Sequence, residues 1–241
     1  MKKKVRAIIL AAGRGARMGK LTDQKPKSLL EINGNSLLSY QIKALKSAGI
    51  EKISIVTGYK REMLLDYGLD EFHNPLWYQT NMVYSLSCAD SWLANYPCII
   101  SYSDIFYSSH AIDMLINSKE NIAITFDSNW RDNWAERFSN PLDDLETFKV
   151  VNNYITEIGN KPQSLDEIDG QYMGLLRFNP DSWGKVKKKI KSFNENKFKN
   201  IHMTELLQNL IDSGLNISAI SYEGNWGEVD SAFDLKLYNK K

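Results

Sequence analysis

Cysteine is nearly absent: the 241 residues include only Cys88 and Cys98, both set in apolar segments. That number and spacing exclude a disulfide scaffold and a zinc site, so both are expected to be buried thiols of a protein kept in a reducing, cytoplasmic compartment. Histidine is scarce as well. His73, His110 and His202 have no paired nucleophile, which argues against Ser/His or Cys/His catalysis and makes structural roles the expectation. A long apolar run is also missing. Ala7 to Ala12 follows Met1-Lys2-Lys3-Lys4 in the manner of a secretory leader, yet it stops at Gly13 and is followed by Arg14 and Arg17. It is expected to be neither a leader nor a membrane span. No charge dominates: the formal net charge is +1, which excludes a broad basic face for nucleic acid but leaves enough local cations for a phosphate ligand. The absence of hexapeptide periodicity excludes a β-helix.

What is present is material for a full core, since 43% of the residues are hydrophobic; one globular domain over 1–241 is expected. Strand-like and helix-like segments alternate, which predicts an α/β fold with a mostly parallel central sheet flanked by helices. Val5 to Leu10, Ile53 to Thr57, Cys98 to Tyr102 and Ile122 to Phe126 read as strands. Ser36 to Ala48 places Leu37, Leu38, Ile42 and Leu45 on one helix face, with Gly49 as its stop, and Asn81 caps a helix running to Trp92. At about 128–178 the pattern changes to Trp- and charge-rich loop and then to Val150-Val151-Asn152-Asn153-Tyr154-Ile155, a hairpin with an Asn-Asn turn. This stretch is expected to form a small inserted lobe. Helices over Trp183 to Phe193 and Met203 to Ser213, a strand over Ile217 to Ser221 and a helix after Asp230 complete the chain.

The strongest local signal follows the first strand: Leu10-Ala11-Ala12-Gly13-Arg14-Gly15-Ala16-Arg17-Met18-Gly19, then Lys25-Pro26-Lys27-Ser28-Leu29. Glycines there let backbone N–H groups approach phosphate oxygens, and Arg17 and Lys27 supply charge for a triphosphate. A Gly-rich turn after a strand is also ordinary punctuation. A dinucleotide fingerprint fails for want of a third glycine and of an acidic residue after Thr57-Gly58, and a P-loop fails for want of Gly-Lys-Ser/Thr.

With Pro26-Lys27-x-Leu29, this loop resembles the signature of the sugar-phosphate and choline-phosphate nucleotidyltransferases. Thr80-Asn81-Met82-Val83-Tyr84-Ser85-Leu86, Ser103-Asp104 and Glu228-Val229-Asp230 are similar to segments of bacterial CTP:phosphocholine cytidylyltransferase-like enzymes. The resemblance implies a Rossmann-like, GT-A-like fold and an enzyme that transfers a nucleoside monophosphate from a triphosphate, CTP by preference, to a small phosphorylated or phosphonate acceptor. Pyrophosphate is released, and the product serves surface polysaccharide or lipid decoration. It implies a nucleotide site formed by Leu10, Ala11, Ala12, Gly13, Arg14, Gly15, Arg17, Lys27, Gln79, Asn81, Ser85, Ser103 and Asp104, although Asn81 serves equally well as a helix cap. Arg17, Lys27, Asp104 and Asp230 are the expected catalytic residues.

Mg²⁺ prefers few protein oxygens plus waters and phosphates. Asp104 at a strand end and Asp230 after Gly224-Asn225-Trp226-Gly227 suit it, and by the resemblance both bind it. Glu228 is a weaker candidate, either supporting Asp230 or packing in its loop. Trp130, Trp134, Arg131 and Arg137 lie where the resemblance implies an acceptor site, with Lys149, Lys161, Tyr172 and Glu228 as further candidates. Trp and Arg also pack on each other at surfaces, and lysines are usually solvated. Gly170-Gln171-Tyr172-Met173-Gly174 is expected to close over the acceptor or to mark a bulge. No full aromatic cage is legible, so choline stays open beside aminoalkylphosphonate, amide-bearing and polyol phosphates. A homodimer is left open. The rival readings are a sugar-1-phosphate nucleotidyltransferase, an inactive binding subunit of the same fold, and a glycosyltransferase, which would leave Lys27 without a purpose.

Overall fold

A computed structural model describes residues 4–137, 142 and 144–240. Met1 to Lys3 of the leader-like start, and positions 138–141 and 143 of the expected lobe, lie outside them. In chain order the strands are β1 (Arg6–Ala11), β2 (Glu31–Ile32), β3 (Asn35–Ser36), β4 (Ile53–Thr57), β5 (Asp70–His73), β6 (Cys98–Tyr102) and β7 (Ile105–Tyr107). They continue with β8 (Ile122–Asp127), β9 (Phe148–Val151), β10 (Tyr154–Ile158), β11 (Gln171–Phe178), β12 (Ser218–Tyr222) and β13 (Trp226–Glu228). Nine of them form one sheet in the order β5-β4-β1-β6-β11-β8-β12-β10-β9.

β1 shows why this sheet is the centre. Ile8 and Leu10 enter one core with Val83, Leu86, Trp183 and Leu206, whereas Ala7, Ile9 and Ala11 enter the opposite core with Leu38, Leu45 and Ile112. Side chains alternate across a strand, and a strand covered on both faces is apolar throughout. The helices Met82–Ser87, Pro180–Lys191 and Met203–Ile211 contribute buried residues to the first layer, and Leu37–Ser47 and Ser109–Asn117 contribute to the second.

Pairings of β1 with β4 and β6, β4 with β5, and β8 with β12 are parallel. β11 runs antiparallel between β6 and β8. The stretch expected as an inserted lobe is therefore woven into the sheet: β11 lies in its middle, and the β9–β10 hairpin extends its edge beyond β12. Asn152 and Asn153 turn that hairpin with φ of 51° and 65°, the left-handed pair that a two-residue turn demands. The helix expected from Asn81 to Trp92 stops at Ser87, and a separate turn, Asp90–Leu93, follows. Ser87 Oγ and Cys88 Sγ both donate to the Tyr84 carbonyl, at 2.6 and 3.6 Å, so side chains compete for a backbone acceptor at the break.

A second, two-stranded sheet matters most for chemistry. β7 pairs antiparallel with β13, Glu228 opposite Ile105, and the Val229 N–H donates to the Asp104 carbonyl at 2.9 Å. This ribbon brings the end of β6 and the segment before the last helix together.

Candidate active site

The loop after β1 and Lys27 fit each other closely. Gly15 has φ +75°, and a Cβ there would lie 2.8 Å from Lys27 Cβ. Any side chain would be strained and would collide with the lysine, so this glycine is needed for close approach as well as for its backbone angle. Lys27 is 7% exposed. Its ammonium donates to Asp104 Oδ2 at 2.8 Å and to Asp230 Oδ1 at 2.7 Å, and Arg17 donates to the same Asp230 oxygen at 2.8 Å.

Burial alone would lower the Lys27 pKa and raise that of Asp230. The paired charges win: Asp104 and Asp230 hold Lys27 above the ordinary lysine range, and Lys27, Arg17 and Arg137 hold Asp230 below the carboxylate range. Glu228 goes the other way. Burial first, then the charges of Asp230 and Asp104, push its carboxyl well above the usual value against the pull of Arg137 and Lys27.

Asp104, Glu228 and Asp230 form a group whose ligand oxygens lie within 4.8 Å of one another. Asp104 Oδ1 is buried with no hydrogen bond among the described residues. Carboxylate oxygens at this spacing, one of them unsatisfied, fit a hard divalent cation. Glu228, expected at the acceptor, thus stands in the carboxylate group and also lines a neighbouring cavity of about 440 Å³.

Two cavities meet here. One of about 330 Å³ is lined by Leu10, Ala12, Gly13, Gly15, Arg17, Lys27, Asn81, Ser85, Ser103 and Asp104, as expected for the nucleotide, and also by Trp77, Thr80 and Met82. Three expected nucleotide residues are absent from its wall. Ala11 faces the opposite core, Arg14 pairs with Asp23 at 2.5 Å, and Gln79 closes the short turn Trp77–Gln79. Asn81 does cap its helix, its side chain accepting from Met82 N at 2.8 Å. The other cavity, of about 440 Å³, shares Arg17, Met82 and Tyr102 with the first and carries Tyr172, Gly174, Glu228 and Asp230. Gly174, φ +72°, sits at the bulge of β11, and a Cβ would lie 2.9 Å from the Tyr102 ring.

Several of the remaining acceptor candidates lie elsewhere. Trp130 is 2% exposed and packs in the core, Arg131 stacks 4.8 Å over its ring, and Lys149 binds Asp169 at 3.2 Å. None of the three lines the 440 Å³ cavity. Arg and Trp here satisfy each other, as they do on many surfaces, and Lys149 is held by a local carboxylate. Lys161 donates to the Leu142 carbonyl. Trp134 does line the cavity, with the Arg137 guanidinium 5.1 Å over its ring. Arg137 approaches Glu228 at 3.5 Å and Asp230 at 3.9 Å, and its Nε donates to Asp234 Oδ1 at 2.8 Å. Asp234 in turn forms a capping box with Ser231. The Ser231-x-x-Asp234 spacing after Asp230 was the available sequence signal for that support. His202, expected to be structural, lines the 440 Å³ cavity.

Residues 7–145 match the MobA-like NTP transferase domain. The chain belongs to this family of nucleotidyltransferases. Over 98% of its length the nucleotidyltransferase is 39% identical to the CTP:phosphoglutamine cytidylyltransferase of Campylobacter jejuni, 99% of which is covered. A shorter match, 49% identical over 24% of each chain, joins it to the 2-aminoethylphosphonate cytidylyltransferase of Lancefieldella rimae. In fold it is similar to the solved CTP:phosphocholine cytidylyltransferase of Streptococcus pneumoniae, with a TM-score of 0.74 and 22% identity over 98% of both chains. No helix among the described residues is long and apolar enough to cross a membrane.

Proposed function

We propose that this nucleotidyltransferase is a magnesium-dependent cytidylyltransferase that joins CMP from CTP to the phosphate or phosphonate oxygen of a small acceptor and releases pyrophosphate. The observation that carries the reading is the Lys27–Asp104–Asp230 centre at the junction of two cavities. The relative matched along almost the whole chain supports CTP as donor.

The nucleotide lies along the loop after β1, its base toward Thr80, Asn81 and Ser85. The acceptor enters from the second cavity, and its anionic oxygen attacks the α-phosphorus in line while the bond to pyrophosphate breaks. The attacking oxygen is already deprotonated, so no general base is required, and positioning with charge stabilisation supplies the acceleration. Arg17 borders both cavities and so stands where donor and acceptor meet; Lys27 keeps fixed positive charge beside the carboxylates. Asp104 and Asp230, with Glu228 adjoining, would hold the divalent ion, which when bound neutralises charge on the α-phosphate and the leaving group. Arg137, fixed by Asp234, orients Glu228 and Asp230.

The test is pyrophosphate release with Mg²⁺ across CTP, UTP, GTP, ATP and dTTP against aminoalkylphosphonates, phosphoethanolamine, phosphocholine, amide-bearing and polyol phosphates, and hexose 1-phosphates. CTP with a non-sugar acceptor is the expected pair; a hexose 1-phosphate as best acceptor would replace the reading with the sugar-nucleotide one. Asp104→Asn and Asp230→Asn are expected to lower turnover by about a hundredfold or more without unfolding the protein. Unchanged turnover would reject the ligand assignment.

A further inference from the structure

The loop between β1 and β2 has little burial to hold it. From Gly13 to Lys25 only Met18 and Thr22 are buried. Yet Gly13, Gly15, Ala16 and Arg17 of this stretch line the 330 Å³ cavity, so something other than packing must fix its shape. Polar ties do so by folding its end back onto its start. The Thr22 hydroxyl lies 3.2 Å from the Gly15 carbonyl oxygen and 3.3 Å from that of Gly19, and Arg14 pairs with Asp23 at 2.5 Å.

Tyr59, two residues past β4, spans the loop from outside. Its backbone N–H donates to the Ala12 carbonyl at 2.9 Å, where the loop begins. Its hydroxyl reaches the carbonyls of Thr22 and Asp23, each at 2.8 Å, at the far end. A hydroxyl carries one proton, so the two carbonyls share it. A Cβ at the preceding Gly58 would lie 2.6 Å from the Ala12 carbonyl oxygen, so the two backbones meet at a distance that only glycine permits. The Tyr59 ring meets Trp77, which lines the same cavity, edge to face at 5.2 Å. Tyr59 itself is not in the cavity wall.

Resting on the reading that this loop holds the triphosphate, we infer that Tyr59 is a positioning residue for it. One residue pins both ends, so that Gly13, Gly15 and Arg17 stand in the cavity wall before the nucleotide arrives. A loop shaped in advance binds phosphate without the cost of ordering its backbone on contact.

Tyr59→Phe removes the hydroxyl and keeps the N–H, the ring and its contact with Trp77. The test is calorimetric titration of both proteins with CTP in the presence of Mg²⁺, and with cytidine, which has the base and ribose but no phosphate. CTP is expected to bind the variant about threefold to tenfold more weakly, the scale of one hydrogen bond, and cytidine to bind both proteins alike. Unchanged CTP affinity overturns the inference. So does an equal loss for cytidine, because the whole cavity would then have shifted. If the unaltered protein prefers another triphosphate, the cytidylyltransferase reading alone is rejected, and the same two titrations with that triphosphate and its nucleoside decide on Tyr59. Binding of no triphosphate overturns both.

Discussion

At Lys27 one ammonium keeps apart two carboxylates that share a cleft, 2.8 Å from Asp104 and 2.7 Å from Asp230. Removing it leaves two like charges uncompensated in a largely buried place, a change that costs about 3 kcal/mol in comparable settings. Lys27→Met is therefore expected to lower the melting temperature. Mg²⁺ should restore more stability to this variant than to the unaltered protein, because the ion substitutes for the lost cation. Thermal unfolding with and without Mg²⁺ checks this, and an equal response of both proteins would separate Lys27 from the carboxylates proposed to hold the ion. Lys27, Asp104 and Asp230 were legible one at a time, as residue types in a loop and at strand ends. Glu228 was harder to assign, because a carboxylate in a Glu-Val-Asp string does not declare whether it faces an acceptor or its neighbours. Trp130 misled for the opposite reason: an aromatic beside Arg131 reads as a binding surface until burial shows it in the core.

Among the elements, edge strand β5 depends on charge more than on burial, since its residues are exposed or half-buried. Glu71 accepts from Arg61 at 2.6 Å through both carboxylate oxygens and also from the Thr57 hydroxyl at the end of β4. The hydrogen bond from Arg61 is the chief cause that lowers its pKa, with burial opposing and Thr57 adding to the fall. A carboxyl lowered on folding stabilises the fold above its ordinary value of 4.5, and that contribution is lost as pH falls through the lower folded value. Glu71→Gln should thus reduce the melting temperature near neutral pH, and the difference should shrink as pH falls through the lowered folded value and Glu71 itself becomes protonated. A pH-independent difference would point to packing instead. Most elements were legible because their signals are local: the Ser36 cap, the Gly49 stop, the Asn152-Asn153 turn and the apolar run of β6. The early end of the helix after Asn81 was not, because it turns on which donor takes the Tyr84 carbonyl.

On the scale of the whole molecule, one sheet separates two cores, and β11 joins the N-terminal parallel strands to β8, β12 and the β9–β10 hairpin. With the 128–178 stretch sharing that sheet, denaturant unfolding is expected to follow one transition by tryptophan fluorescence and by far-UV circular dichroism alike. Two separated midpoints would mark an independently folding lobe. The amino-acid order by itself determined the phosphate loop, the parallel first half and the candidate cations and carboxylates, because turn chemistry, periodicity and charge act over a few neighbouring residues. Only the tertiary structure decided that β11 runs antiparallel through the centre, that the β7–β13 ribbon brings Glu228 to Asp104, that Arg137 and Asp234 brace Asp230, and that Tyr59 ties both ends of the loop after β1. Those facts rest on contacts between segments far apart in the chain, where packing and the pairing of buried charge choose among arrangements that local preferences leave equal.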